Sequence, residues 1–314
     1  MVGPLPGNLN EIMFGLASPT LEAMRIKSSY LDDFSAAAIL GTVVKPTEDD
    51  PFRSVVVKWM EIDIPGFSIG VVKNRDYVYV EGTVVKNRDY VYVESSGIMN
   101  LKNGDRVGYH LWHSINFPQT HELPNRVRGN MSLSAIFHQE ASDRTDCHGN
   151  GVMDPAGDFI GPMVVGGIIQ AIMAGVKYSY CAQMKKLAWL SVQKHAEMRE
   201  KGAPVAKPVC ITCSKPTNSK LNIGKSHSTC KLCFQALCGS CKVYKKLSFI
   251  TPDLELTQQK VAFCVKCLLE ATHLDTLEAA RHQFVYDQDA HSGAGGTFAV
   301  SHTSSRSDCT DNSA

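Results

Sequence analysis

The stretch CITCSKPTNSKLNIGKSHSTCKLCFQALCGSC covers residues 210–241, and the short run CVKC follows at residues 264–267. Together they hold eight of the eleven cysteines of this 314-residue chain, arranged as four Cys-x-x-Cys pairs. Such a pair places two thiolates on one tight turn, and two pairs complete a closed tetrahedral site for one zinc ion. Eight thiolates therefore predict two structural zinc ions, with no ligand position left open for catalysis. The predicted ligands are Cys210, Cys213, Cys230, Cys233, Cys238, Cys241, Cys264 and Cys267.

The start of the chain favours metal binding over disulfide bonds. Its first fifteen residues, MVGPLPGNLNEIMFG, lack the basic start and the continuous apolar run of a secretory signal. We therefore expect a cytoplasmic protein, in which thiols stay reduced. The sequence also lacks a phosphate-binding glycine loop and a nucleophile motif, so we expect no enzymatic activity.

Four residues separate the second and third cysteine pairs, in the run CKLCFQALCGSC at 230–241. A RING finger would place a histidine among these middle ligands and leave a shorter gap. The run instead resembles the centre of a FYVE domain, a zinc finger that binds phosphatidylinositol 3-phosphate on endosomal membranes. The resemblance implies that the first and third pairs hold one zinc ion and that the second and fourth pairs hold the other. A divergent RING-type ubiquitin ligase or a protein-interaction finger is the alternative.

The lipid-recognition motifs of FYVE domains are incomplete in this chain. The segment before Cys210 reads APVAKPV, without the Trp and Asp of the W-x-x-D motif. The run KSHSTCK at 225–231 lacks the two adjacent histidines and keeps only Lys231 at a basic position. Ala262 and Phe263 stand where the R-V-C motif has Arg and Val. The sequence therefore predicts a FYVE-related finger without specific phosphoinositide recognition.

The finger is basic although the whole chain is nearly neutral. The chain has 32 Lys and Arg against 31 Asp and Glu, so no overall charge attracts nucleic acid or anionic lipid. Residues 205–270 contain ten Lys, three acids and no Arg. This excess of lysine predicts weak attraction to an anionic membrane. The alternative is a solvated basic face on a protein-interaction finger. The lack of Arg disfavours nucleic-acid binding. The predicted membrane-contacting residues are Leu221, Ile223, Lys225 and Lys231.

Helical and β-rich segments occupy separate parts of the chain before the finger. Apolar spacing predicts helices in residues 8–30 and 162–200, and short β-rich runs fill residues 36–140. This order predicts an α+β fold with an antiparallel sheet. The uncharged stretch 159–176 reaches the length of a membrane span. Its apolar stripe, however, continues at helical spacing to Ala188, which favours a packed amphipathic helix.

Several segments resemble START lipid-transfer domains, in particular the START-like proteins with FYVE-related fingers of oomycetes. They include RDYVYVE at 88–94, GYHLWHSI at 108–115, RGNMS at 128–132 and MKKLAWL at 184–190. The resemblance implies a helix-grip fold, in which a curved antiparallel sheet surrounds the long C-terminal helix and encloses a tunnel for one lipid. It also implies that the chain begins after the usual first helix and opening strands of that fold. The predicted lining residues are Trp112, Tyr109 and Phe137.

The run VVKNRDYVYVE occurs twice, at 71–81 and 84–94. Because a strand tolerates many sequences, identity over eleven residues indicates a recent duplication or an error in the gene model, of which the sheet uses one copy. We divide the chain into a START-like domain (9–193), a linker (194–208), a FYVE-like zinc finger (209–270), a C-terminal helix (271–286) and a disordered tail (287–314). The sequence thus predicts a non-enzymatic, lipid-binding adaptor that associates with endosomal membranes, with a hydrophobic lipid as ligand and an anionic membrane or a protein as partner.

Overall fold

The computed structural model describes residues 2–31, 34–62, 86–157, 173–202, 208–217, 228–251 and 253–286. The helices are α1 (Leu9–Leu16), α2 (Leu21–Leu31), α3 (Tyr178–Lys201), α4 (Val265–Thr272) and α5 (Thr276–Arg281). The first eight strands are β1 (Val2–Pro6), β2 (Ala36–Val44), β3 (Ser54–Ile62), β4 (Asn87–Asn100), β5 (Arg106–Ser114), β6 (Arg126–Arg128), β7 (Asn130–Ala141) and β8 (Arg144–Asp154). The finger adds β9 (Ser228–Thr229), β10 (Ala236–Leu237), β11 (Val243–Ile250) and β12 (Leu256–Phe263).

Strands β1 to β8 form one sheet in the order β1-β8-β7-β5-β4-β3-β2, with β6 beside β4. Neighbouring strands on this path are antiparallel, and β6 runs parallel to β4. The predicted α+β class, an antiparallel sheet with a long helix, is confirmed. Strand β1 was not predicted, because its sequence VGPLP is rich in proline. Proline cannot donate to a strand ladder, and β1 accommodates it by lying at the edge of the sheet.

Side chains alternate across each strand and so divide the sheet into two faces. Helix α1 contacts β5, β7 and β8, and α2 contacts β2, so both helices cover one face, which we call the inner face. A smaller apolar group around Trp59 and Val91 lies on the outer face. The buried apolar residues of the inner face beside α2 are Met24, Ala37, Met60, Tyr90, Tyr92 and Met131, with Trp112, Leu133 and Met153 partly buried next to them.

Helix α1 begins with a reciprocal pair of hydrogen bonds that its sequence encodes. The Asn8 side chain accepts from the backbone N–H of Glu11, at 3.0 Å, and the Glu11 carboxylate accepts from the N–H of Asn8, at 3.3 Å. This capping box satisfies two backbone donors at the helix start. Farther along, Met13 packs so closely on β5 that a Cβ at Gly108 would lie 2.6 Å from its sulfur. Small residues therefore set the distance between α1 and the sheet.

Helix α3 starts against the sheet, where the rings of Tyr178 and Phe137 lie 6.5 Å apart, and then crosses α1. Two lysines at this crossing are buried, which the sequence pattern did not predict. Lys185 donates to the carbonyls of Phe14 and Ala17, at 2.8 and 3.2 Å. These carbonyls lie at the end of α1, where no helical N–H remains to satisfy them. The lysine therefore takes the place of a C-terminal cap.

The crossing of α1 and α3 leaves no room for a side chain at Gly15. A Cβ there would lie 1.9 Å from the carbonyl oxygen of Tyr178, and a backbone atom cannot move aside cheaply. We expect Gly15→Ala to lower the free energy of unfolding by about 3 kcal/mol, the upper range for overpacking. Urea denaturation measures this change. Gly41→Ala is the control, since a Cβ there meets nothing within 4 Å; an equal loss in both variants would contradict the explanation.

The structure can be compared with three sequence predictions: the helix at 162–200, the repeated strand and the membrane-span alternative. The predicted helix 162–200 is interrupted, since residues 173–175 are helical and a turn at 176 and 177 precedes α3, while residues 158–172 lie outside the described part. Residues 87–94 of the second copy of the repeat form the first part of β4, and the first copy lies among residues 63–85, outside the described part. Within the described residues, no helix is both long and apolar enough to cross a membrane.

The finger packs on the sheet domain rather than standing apart from it. Helix α3 continues to Lys201, so the first residues of the predicted linker are helical, and α3 contacts both β11 and α4. Helix α2 contacts β11 and β12. One buried apolar cluster includes Met184 and Leu187 of α3 together with Leu247 and Phe263 of the finger. The two parts of the chain therefore share a core.

Candidate metal centres and interior polar cluster

The structure brings the eight predicted ligands together in two groups of four, and within each group the sulfur atoms lie within 4.8 Å of one another. The first and third Cys-x-x-Cys pairs form the first cysteine group, and the second and fourth pairs form the second. Among the described residues, these are the groups of three or more side chains arranged to hold a metal ion. The first cysteine group is Cys210, Cys213, Cys238 and Cys241; the second is Cys230, Cys233, Cys264 and Cys267.

The first pair of each group is held by the same backbone turn. The N–H of Ser214 donates to Cys210 O at 2.8 Å, and the N–H of Phe234 donates to Cys230 O at 2.9 Å. Ser214 and Phe234 have φ values of 57° and 58°, a left-handed conformation that disfavours residues with a side chain. Such strain persists only where the surroundings fix it. The repeated turn indicates that both pairs are shaped to aim two sulfur atoms at one point.

Hydrogen bonds within each cysteine group lower the pKa of one of its buried thiols. Burial raises the pKa of Cys210, but backbone N–H groups of Cys238, Cys213 and Thr212 outweigh it and lower that pKa to about 6. In the second group, hydrogen bonds from the Cys233 and Cys267 side chains hold the pKa of Cys230 far below its usual range. Each group thus contains a thiol whose pKa is lowered toward the thiolate, which is the form that binds a metal.

Helix α4 begins directly at a ligand of the second group. Cys264 is its N-cap, and the Cys264 sulfur accepts from the N–H of Cys267 at 3.4 Å. The first turn of α4 is therefore tied directly to the second cysteine group. The donor chemistry fits zinc, since four thiolates about 2.3 Å from one ion lie about 3.8 Å from each other. The sulfur atoms of Cys213 and Cys238 are 3.6 Å apart.

A second site, which the sequence did not predict, lies on the inner face of the sheet. The ammonium of Lys58 contacts the Glu94 carboxylate and donates to Ser18 O at 2.6 Å. Nε2 of His110 lies 2.7 Å from Glu94 Oε1 and also 2.7 Å from Trp112 Nε1. Lys58 and Glu94 are 1% and 3% exposed, so the pair is fully buried. We call Lys58, Glu94, His110 and Trp112 the interior cluster.

The two hydrogen bonds available to His110 Nε2 in the interior cluster cannot both form at the same time. Indole N–H only donates, whereas a histidine Nε2 either donates or accepts but does not do both. If Nε2 donates to Glu94, the Trp112 N–H has no acceptor there; if Nε2 accepts from Trp112, the Glu94 oxygen has no donor there. One contact is always left unmade, so a polar group of a ligand that reached this site would find a partner.

The interior cluster makes the protein sensitive to acid. Burial lowers the pKa of His110 below 6.5, so the folded state keeps it neutral while the unfolded state takes up a proton. Burial alone would raise the pKa of Glu94, but Lys58 and the His110 hydrogen bond outweigh it and hold that pKa well below 4.5. In both cases the unfolded state binds more protons, so stability is complete above about pH 7 and falls as the pH decreases.

We expect the free energy of unfolding to decrease between about pH 7 and pH 5, because His110 titrates in the unfolded chain over that range. Urea denaturation at several pH values measures this slope. His110→Gln should show a shallower slope than the wild type, and His148→Gln, at an exposed position, should not. Comparing variants at each pH cancels any acid effect on the cysteine groups. Equal slopes in wild type and His110→Gln would contradict the prediction.

The structure separates the three predicted lining residues. Trp112 lies on the inner face beside Tyr92, with ring centroids 5.5 Å apart. Phe137 is on the same face but 1% exposed, packed in the core around α1. Tyr109 lies between Gly108 and His110 on β5, and since both of these face inward, Tyr109 points to the outer face. Only Trp112 is therefore placed at the interior cluster.

The predicted membrane-contacting residues are less fully described. Leu221, Ile223 and Lys225 lie outside the described residues. Lys231 lines a groove of about 430 Å³ between the finger and the second half of α3, together with His195 and Arg199. Lys246 and Lys260 lie directly opposite each other on the hairpin β11–β12 and are both exposed. Like charges in this position repel each other, so this face of the finger favours an anionic neighbour.

Sequence reasoning missed Lys58 and Glu94, although one signal could have found them. Lys58 interrupts the otherwise apolar run VVVKWM of β3, at a position whose alternation places it on the inner face. A lone charge at a core position of a strand requires a buried partner. Its register partner on β4 is Tyr92, and Glu94 on the same face lies two residues farther along. The strand register, which the sequence does not give, was needed to pair them.

Comparison with protein-family models finds no match for this chain, and comparison with curated proteins finds none either. Among solved structures, the human StarD13 (DLC2) lipid transfer and protein localization domain is similar at 11% identity, covering 57% of this chain and 74% of that one, with a TM-score of 0.38. Human STARD10 is similar at 13% identity, covering 65% and 67%, with a TM-score of 0.34. A STAR-related lipid transfer protein from Xanthomonas axonopodis is similar at 14% identity, covering 57% and 83%, with a TM-score of 0.38.

Proposed function

We propose that this protein binds one amphiphilic lipid on the inner face of its sheet, and that its two cysteine groups hold two structural zinc ions. The observation that carries the lipid proposal is the interior cluster, a buried charged site on a mostly apolar face. Burying an ion pair rarely adds stability over apolar residues of similar size. A mostly apolar site with a few polar groups suits an apolar ligand with a polar end. The sequence resemblance to START domains supports the same class of ligand.

In this proposal the chain's own side chains divide the work of binding. The apolar groups around Met60, Met131 and Leu133 contact the hydrocarbon part and exclude water. Depending on the His110 tautomer, the cluster offers either the Trp112 N–H as donor or the Glu94 oxygen as acceptor, so it orients a hydroxyl or a similar polar group of the lipid. Lys58 keeps Glu94 ionised. No step of bond making or breaking is required, which is consistent with a non-enzymatic binding protein.

Native mass spectrometry of the purified chain tests the lipid proposal. We expect an added mass of one lipid per chain, and we expect Trp112→Phe to bind that lipid more weakly because it removes the indole donor and keeps the ring. Leu111→Ala is the matched control, on the same strand but on the outer face, where its side chain is 44% exposed. Absence of any bound lipid, or an equal loss in both variants, would contradict the proposal.

Metal analysis tests the zinc proposal separately. Zinc supplies a fixed charge that holds four thiolates together, and the residues of each group supply four thiolates and no open position. We expect two zinc ions per chain in protein purified without chelator. One zinc ion or none would contradict the proposal.

A weak association with anionic membranes is the second part of the proposed function. It is supported by the opposed, exposed pair Lys246 and Lys260 on the hairpin β11–β12. A lysine near an anionic leaflet gives about 1 kcal/mol, and salt screens it. We expect flotation of the protein with phosphatidylserine vesicles to be weak and to disappear above about 0.3 M salt, where the Debye length is short. Strong flotation that depends on phosphatidylinositol 3-phosphate would instead indicate specific headgroup recognition.

A further inference from the structure

At the base of the hairpin β11–β12, each strand is joined to a different cysteine group. Strand β11 begins at Val243, two residues after Cys241, and β12 ends at Phe263, next to Cys264. The strands pair without interruption from Val243–Phe263 to Ile250–Leu256. A metal ion held by each group would therefore fix the base of the hairpin, and the paired strands would fix the position of its far end.

The far end of this hairpin is hydrogen-bonded to helix α2. The N–H of Ser248 donates to the Tyr30 hydroxyl at 2.7 Å, and the hydroxyls of Ser248 and Ser29 lie 2.7 Å apart. Nε2 of Gln258 donates to Ser29 O at 3.2 Å, and Arg25 donates to the Leu254 carbonyl. Ser248 is 2% exposed, so these bonds are shielded from water. Burial also raises the pKa of Tyr30 to about 12, which keeps its hydroxyl protonated.

The opposite side of α2 covers the interior cluster. Met24 is 1% exposed and packs with Tyr90 and Tyr92 on the inner face. The ammonium of Lys27 lies 5.5 Å from the centre of the Trp112 ring. Helix α2 is therefore a single layer, with the hairpin on one side and the proposed lipid site on the other.

A second connection links the finger to α1. Lys186 is 1% exposed and donates both to Glu11 Oε1 at 3.0 Å and to Thr272 O at 3.2 Å. Thr272 ends helix α4, which contains Cys267 and has Cys264 as its N-cap. Glu11 belongs to the capping box of α1. The second cysteine group is thus connected to both helices that cover the inner face.

We propose that metal binding by the cysteine groups holds helix α2 on the sheet, so that loss of the metal releases α2 and opens the interior cluster. An 11-residue helix is marginal on its own in water, and α2 depends on its packing partners. The finger is small and its cysteines form part of its core, so it does not stay folded without metal. By linkage, a ligand that needs α2 closed strengthens metal binding by the same factor as the metal strengthens binding of that ligand.

This inference rests on the proposed zinc ions, and hydrogen exchange of the full chain tests it. We expect chelation with EDTA to raise amide exchange in α2 at least tenfold, while the β7–β8 pair, which packs on α1, keeps its protection. Unchanged exchange in α2, or an equal rise in β7–β8, would overturn the inference. If the purified chain holds no zinc, the proposed function fails first, and metal analysis shows that independently.

A variant that breaks the connection without touching a cysteine provides the second arm. Tyr30→Phe combined with Gln258→Leu removes the acceptor for Ser248 N and the donor to Ser29 O. We expect two bound zinc ions, unchanged protection of the finger and exchange in α2 raised about fivefold or more, since one lost hydrogen bond corresponds to about fivefold. Tyr244→Phe is the matched control, on the same hairpin with a ring 47% exposed. Equal α2 exchange in both variants would overturn the inference.

Discussion

Cys230→Ser should remove one of the two proposed zinc ions and unfold the finger. Cys230 is 0% exposed, and its sulfur accepts from the N–H of Cys264 at 3.4 Å, so it lies at the centre of the second group. A structural zinc site contributes about 10–16 kcal/mol of binding free energy, and in a small module most of this is folding free energy. A serine oxygen does not replace a thiolate at such a site, because zinc in closed sites prefers sulfur.

Metal analysis together with limited proteolysis measures this effect. We expect the zinc content to fall from two to one per chain and cleavage to appear within the finger. Cys147→Ser is the matched control, because Cys147 is also 0% exposed but lies in the core around α1 and in neither cysteine group. That variant should lose some stability and keep both zinc ions. A Cys230→Ser protein that keeps two zinc ions and resists protease would show that this thiol is not a ligand.

Glu94→Ala should destabilise the sheet domain by about 3–5 kcal/mol, the range for removing one partner of a buried ion pair. The substitution leaves the Lys58 ammonium buried without its carboxylate, and it also removes the partner of His110 Nε2. Since a small domain has about 5–15 kcal/mol of stability in total, this loss is a large fraction. Urea denaturation followed by tryptophan fluorescence measures it.

Two further variants separate this explanation from a general effect of mutation. Lys58→Met with Glu94→Leu removes both charges and should regain most of the lost stability, because apolar residues replace buried pairs well. Glu197→Ala breaks an exposed pair with Lys194, whose atoms are 3.0 Å apart, and should cost less than about 0.5 kcal/mol. If the double variant were as unstable as Glu94→Ala, the uncompensated charge would not be the cause.

Local sequence patterns predicted the elements whose stability is local. Helix α1 begins within the predicted helical segment 8–30, where Asn8 and Glu11 form a capping box. The Cys-x-x-Cys spacing predicts a tight turn, and the first and second pairs each form one, closed by hydrogen bonds from Ser214 to Cys210 and from Phe234 to Cys230. In each case the groups that hydrogen-bond lie within a few residues of one another, so the local sequence contains every group needed to form the cap or the turn.

Elements that depend on distant partners were missed or placed incompletely. Strand β1 forms because β8 pairs with it, although its prolines argue against a strand. Lys185 and Lys186 are charged residues of α3, yet both are buried, because α1 and α4 supply acceptors for them. Tyr109 and Trp112 could be assigned to a face only once the register with β4 was known.

The sequence by itself determined that eight cysteines form two groups of ligands and that a strand-rich segment precedes a long helix. The tertiary structure decided two contacts that the spacing of residues along the chain does not predict. It brought Lys58 together with Glu94 and His110, because strand register places residues 36 and 16 positions apart in contact. It also placed the finger hairpin against α2, with Ser248 and Tyr30 bonded across 218 positions. Such contacts depend on how the whole core packs. Apolar periodicity shows which face of a helix or strand is buried, but not which other element packs against that face.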